Sequence, residues 1–171
     1  MIGQLRYFVL TAGLLTASYQ DIKYRKIPNT ITVCCAILGG ILAVFEGWDV
    51  TKGALIGFAA ALAVGVILWL VGAFRAGDAK LYAALGALLG WRGALNSFLY
   101  SMLVAGILGA GMLLARHQLW ARLKRVGRYV KGLFLTGKPA PYVPAEEGKH
   151  ELPLAPCVAV GTALALILPA F

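Results

Sequence analysis

Apolar and polar positions alternate along this chain in long blocks. Six stretches carry no charged residue: 7–20, 27–45, 53–74, 81–91, 93–115 and 152–171. Four of these approach or exceed the ~20 residues that a helix needs to cross a bilayer. The first extends to the N-terminus across a single charge, Arg6. The fourth is short. Its 11 residues rise only about 17 Å as a helix, against a hydrocarbon core of about 30 Å. It either re-enters the face it left or spans with Lys80 and Arg92 snorkelling to the two surfaces.

The distribution of basic residues chooses between these. With six crossings, one face holds Lys23, Arg25, Lys26, Arg75, Lys80 and every basic residue from 116 to 149, and the other holds only Arg6, Lys52 and Arg92. That is 13 against 3, the asymmetry expected of a cytoplasmic and an outer face. If the fourth segment fails to cross, the split becomes 6 against 10. The pattern therefore predicts an all-α polytopic membrane protein with six transmembrane helices, the fourth short. Both termini face the periplasm, and the loops at Asp21, Asp78 and 116–151 face the cytoplasm.

The long loop has a pattern of its own. In RHQLWARLKRVGRYVKGLFL, Leu119, Leu123, Val126, Val130 and Leu133 recur at helical spacing, with Arg122, Arg125, Arg128 and Lys131 between them. This predicts a cytoplasmic basic amphipathic helix on an anionic inner leaflet, or a docking surface for a partner. The stretch GKPAPYVPAEEGKHELP after it reads as a linker. Gly53/Gly57 and Gly86/Gly90 form GxxxG pairs in apolar segments, which point to close helix packing.

Composition agrees. Mean hydropathy is +0.80, and 60% of residues are hydrophobic against 13% charged, which excludes an ordinary soluble domain. The net charge of +9 lies where a membrane topology wants it, so no nucleic-acid partner is implied. The first segment lacks the basic start and cleavage site of a signal peptide and reads as a retained helix. The whole of 1–171 reads as one membrane-embedded domain. Cys34, Cys35 and Cys157 lie in apolar runs without a CxxC pair, so neither a metal site nor a disulfide framework is expected.

Seven acids narrow the search for chemistry. Glu46 and Asp49 fall in the short outer loop, where water should solvate them, and Glu146, Glu147 and Glu151 belong to the linker. Only Asp21 and Asp78 sit at helix ends on the cytoplasmic side. Two carboxylates brought together there suggest an aspartic-protease dyad that shares one proton, because like charges in a poorly solvated site cannot both ionise. The competing reading makes each an interfacial cap or a partner for its basic neighbours. Intramembrane acids also serve proton-coupled transporters, and a non-enzymatic assembly subunit would need neither acid. His117 and His150 have no Ser or Cys beside them in sequence.

SYQDIKYRKIPN (18–29) followed by AGDAKLYAALGALLGW (76–91) resembles the type IV prepilin peptidases, the leader peptidases of pili and type II secretion. ELPLAPCVAVGTALAL is similar to that family's Pro-containing last helix. The resemblance implies a membrane aspartic endopeptidase of the inner membrane. It would remove the basic leader of prepilin-like (Flp-type or pseudopilin) precursors, between a Gly and a segment with an acid a few positions on. Asp21 and Asp78 match the two catalytic aspartates, Gly77 the second glycine of G-x-G-D, and Lys80 the basic residue after it. Gly77 and Lys80 are the implied substrate-binding residues, and no cofactor is implied. Larger members carry a four-cysteine zinc region linked to N-methylation, for which this chain has no cysteines, so no methyltransferase domain is expected. It resembles instead the short members of tight-adherence systems. Arg75 stands where the motif has its first glycine. Its guanidinium is expected to reach the headgroups rather than pair with Asp78, since a permanent cation locked onto that acid would oppose proton sharing.

Overall fold

A computed structural model of the protein describes residues 2–115 and 153–168. Among these it is entirely helical: α1 (Ile2–Tyr24), α2 (Asn29–Glu46), α3 (Trp48–Leu70), α4 (Ala76–Ala115) and α5 (Leu154–Ile167). Residues 2–105 and 153–168 belong to one compact unit, and 106–115, the end of α4, to a second. The predicted amphipathic helix and the whole of the 116–151 loop lie outside the described residues.

Local chemistry sets the boundaries. Helix α1 ends at Arg25, which turns left-handed (φ 55) and closes its N–H onto the Asp21 carbonyl at 3.0 Å. Pro28 then occupies the N-cap position of α2 in an extended conformation. Gly47 (φ 125) is the single residue between α2 and α3. Helix α3 begins earlier than the apolar run predicts and takes in Asp49, whose charge suits a helix N-terminus. It stops at a Schellman motif: Gly72 (φ 80) bonds the Trp69 carbonyl and Ala73 the Leu68 carbonyl.

Helix α4 is not straight. Gly90 adopts φ 72, ψ −179 and divides it into arms 76–89 and 91–115. Sixteen residues of straight helix would separate positions 82 and 98 by about 24 Å, yet the rings of Tyr82 and Phe98 lie 5.4 Å apart, edge to face. Residues 76–89 and 91–105 therefore fold back on each other at Gly90. Both the fourth and the fifth apolar stretches are thus present as separate arms.

The short first arm is the centre of the unit. Every residue from 81 to 88 is buried, and a helix apolar on all sides belongs in an interior. Its neighbours are protein, so a length set by lipid thickness does not constrain it. Leu10, Leu14 and Ala17 of α1 share its core with Leu81, Leu85 and Leu88, and Val158 of α5. Along α3 the contact is backbone to backbone. A Cβ on Gly57 would lie 2.6 Å from the Gly86 carbonyl oxygen, and one on Gly90 would lie 3.6 Å from that of Gly53. The two GxxxG pairs therefore pack on each other. Three stretches are long and apolar enough to span a bilayer: Asn29–Glu46, Trp48–Leu70 and Ala76–Met112, the last being folded at Gly90.

Charged and aromatic residues gather at opposite ends. Arg6 pairs with Glu46 at 2.5 Å and donates to the Ala87 carbonyl at 3.3 Å. Near it Lys52 lies over Trp48 and Arg92 over Trp91. Thus Glu46 is not solvated as the sequence suggested. Arg6, near the start of α1, pairs with it from the neighbouring helix and leaves it only partly exposed. Asp49 does face water, 3.8 Å from Lys52.

Candidate active site

Asp21 lies in the last turn of α1 and is only 3% exposed. One of its carboxylate oxygens accepts the N–H of Ala155 at 3.0 Å. The local sequence explains the bond. An α-helix leaves its first N–H groups without internal partners. Pro153 and Pro156 remove donors around the start of α5, and Pro153 has no side chain to cap it. Asp21 supplies the missing acceptor from another helix, at the end where the helix dipole favours an anion.

Asp78 is 7% exposed and sits in the first turn of α4. One carboxylate oxygen accepts the N–H of Arg75 at 3.0 Å, as an acid three positions inside a helix does in a capping box. Each acid thus holds one backbone N–H and keeps a second oxygen. The two are near enough for the charge of Asp21 to act on Asp78.

Both aspartates line one pocket of about 200 Å³, with Arg25, Lys26, Ile27 and Asn29 on one side and Arg75, Gly77 and Lys80 on the other. All four residues singled out from the sequence, Asp21, Asp78, Gly77 and Lys80, therefore meet there. A larger cavity of about 330 Å³, lined by residues such as Ala61, Phe74 and Phe98, contains no acid. Size does not mark the chemistry here.

Three details were not legible beforehand. Lys80 donates to the Asn29 side-chain carbonyl at 2.9 Å, so the Asn after Ile-Pro belongs to the pocket wall. Gly77 is helical, and a Cβ there would lie 3.3 Å from the Ile27 Cβ. Arg75 does not turn away from the pocket. Its guanidinium donates to the Arg25 carbonyl at 3.3 Å, because the left-handed turn at Arg25 leaves that carbonyl as an acceptor beside it. Below Asp78, one helical turn on, the Tyr82 ring stacks on Phe74 at 5.6 Å. Among the described residues, no group of three His, Cys, Asp or Glu is arranged to hold a metal ion.

Comparison with known proteins bears on what such a pocket is for. Residues 8–110 match the model of the type IV leader peptidase family. The chain belongs to the type IV leader peptidase family. The match contains both aspartates, both pocket walls and the hinge at Gly90. This leader peptidase chain is 35% identical to a prepilin leader peptidase/N-methyltransferase of Aeromonas hydrophila, over 67% of the chain and 42% of that relative. It is 32% identical to one of Myxococcus xanthus over 63% of the chain and 34% of the relative. A preflagellin peptidase of Methanococcus maripaludis is 28% identical over 50% of the chain and 39% of the relative. The chain spans about two fifths or less of the length of these relatives. No solved structure matches it.

Proposed function

We propose that this chain is a membrane aspartic endopeptidase that removes the short basic leader from type IV prepilin-like precursors, of Flp-type pilins or pseudopilins, at the cytoplasmic face of the inner membrane. The observation that carries the reading is the pair of buried carboxylates, from different helices, in one pocket. Family membership supplies the substrate class.

In this reading one aspartate is ionised and the other protonated. The ionised carboxylate takes a proton from water as the water oxygen attacks the scissile carbonyl carbon. The protonated carboxyl hydrogen-bonds the carbonyl oxygen as negative charge develops there. Collapse of the tetrahedral intermediate breaks the C–N bond, and the departing amine takes the proton that the first carboxylate received from water, which restores the dyad. The backbone N–H bonds to Asp21 and Asp78 orient both groups and leave the free oxygens for water and substrate. Gly77 and Lys80 form part of the substrate-facing wall. An ammonium has three donors, so Lys80 can bond Asn29 and still meet an acidic side chain.

The six apolar stretches cross the membrane in this reading, with both termini periplasmic. Arg6, Lys52 and Arg92 lie at the outer end, and the basic residues of the aspartate pocket lie at the inner end. The basic residues of the 116–151 stretch then fall on the cytoplasmic side. The test is co-expression with prepilin-like precursors: the wild type should shorten at least one of them by a leader of several residues, seen as a mobility shift and located by mass spectrometry. A precursor panel that stays intact beside a well-inserted protein overturns the reading.

A further inference from the structure

The acids stand on two corners of the chain, 21–29 and 75–80, and three contacts join those corners. Arg75 donates to the Arg25 carbonyl at 3.3 Å and Lys80 to the Asn29 side chain at 2.9 Å. Between them Gly77 packs against Ile27. Arg25 is the one non-glycine residue with positive φ among those described, a conformation that residues with a Cβ adopt rarely. That conformation closes the Arg25 N–H onto the Asp21 carbonyl at 3.0 Å, while its own carbonyl receives the Arg75 guanidinium. Arg75 meanwhile gives its backbone N–H to Asp78 at 3.0 Å. The two acids are therefore linked through Arg75 and Arg25 by a chain of hydrogen bonds and two short pieces of backbone.

We infer that Arg75 is a positioning residue: by strapping the corner of Asp78 to the corner of Asp21, it sets the separation of the two carboxylates. A glycine at this position could supply the backbone N–H but not the cross-corner bond. Charge-assisted donation to a carbonyl is stronger than a neutral hydrogen bond, which suits a strap exposed at the mouth of the pocket. The Arg75 guanidinium acts through the Arg25 carbonyl, while its backbone N–H holds Asp78 and its charge also reaches that acid. The inference rests on the peptidase reading for its consequence in catalysis, though not for the geometry of the strap.

Arg75→Met keeps much of the stem and removes the donor. Misplacing catalytic groups by about 1 Å can cost on the order of a hundredfold in rate, so a loosened strap should lower kcat for precursor cleavage about tenfold while KM stays within about twofold. Arg75→Lys, with a charged donor of similar reach, should recover most of the loss. Wild-type kcat in Arg75→Met, a loss carried by KM, or equal loss in the Lys variant overturns the inference.

A second measurement does not depend on cleavage. Spin labels at Lys26→Cys and Ala76→Cys, on the two walls of the pocket and in a Cys34→Ala background, report the spacing of the corners. Arg75→Met should broaden or lengthen the distance distribution, whereas an unchanged distribution overturns the strap. If the wild type cleaves no precursor, the peptidase reading fails, and the label distances still decide the inference.

Discussion

Asp21 has two duties that substitution can separate. It is proposed to do chemistry, and it caps α5 by accepting the Ala155 N–H. Asn keeps a side-chain oxygen for that bond, and Ala does not. Asp21→Asn should therefore unfold in detergent close to the wild type. Asp21→Ala should be less stable by about 0.5–2 kcal/mol, the usual value of a lost helix cap. Equal stability of the two variants would show that the cap is dispensable. Glu46 offers a second test, since it shares a half-buried pair with Arg6. Glu46→Ala should cost about 1.5–3 kcal/mol, as for a hydrogen bond to a charged group, without affecting the pocket at the far end; a loss within error of zero contradicts that pairing. Asp21 and Asp78 were legible in the sequence because acids are scarce in so apolar a chain. The partners of Glu46 and Arg75 were not, since each lies 40 or more residues away, and apolar periodicity says nothing about which polar groups meet.

At the scale of elements, the six apolar stretches were legible because burial and helical length leave a compositional trace. The helix ends were less so. Helix α3 takes in Asp49 and Lys52 because a helix N-terminus tolerates charge at the surface, and an uncharged-run rule cannot know that. The short fourth stretch looked like a problem of membrane thickness. It is the first arm of α4, wrapped by protein, and its contact with α3 is made by glycines. Gly57→Ala places a methyl 2.6 Å from the Gly86 carbonyl oxygen, so the helices must move apart. It should be destabilised by about 1–3 kcal/mol, as for overpacking elsewhere. Gly40→Ala is the control, because a Cβ there meets nothing within 4 Å. It should be neutral or gain up to about 1 kcal/mol from helix propensity. Thermal unfolding of the pair in detergent checks the seam: equal effects would mean that α3 and α4 do not meet there.

For the whole molecule, sidedness and chemistry must agree. A reporter active only in the periplasm should report when fused after Phe171 and stay silent when fused at Lys138. The reverse pattern would put the basic loop on the other side of the membrane from the aspartate pocket. The central claim is that two carboxylates act as one unit on a prepilin-like precursor, and its most direct measurement is cleavage by Asp21→Asn, Asp78→Asn and the double variant. Each single change should abolish the mobility shift in a normally inserted protein. The double should be no worse than either single, because groups that act together are not additive. Substantial processing by either single variant would contradict the account.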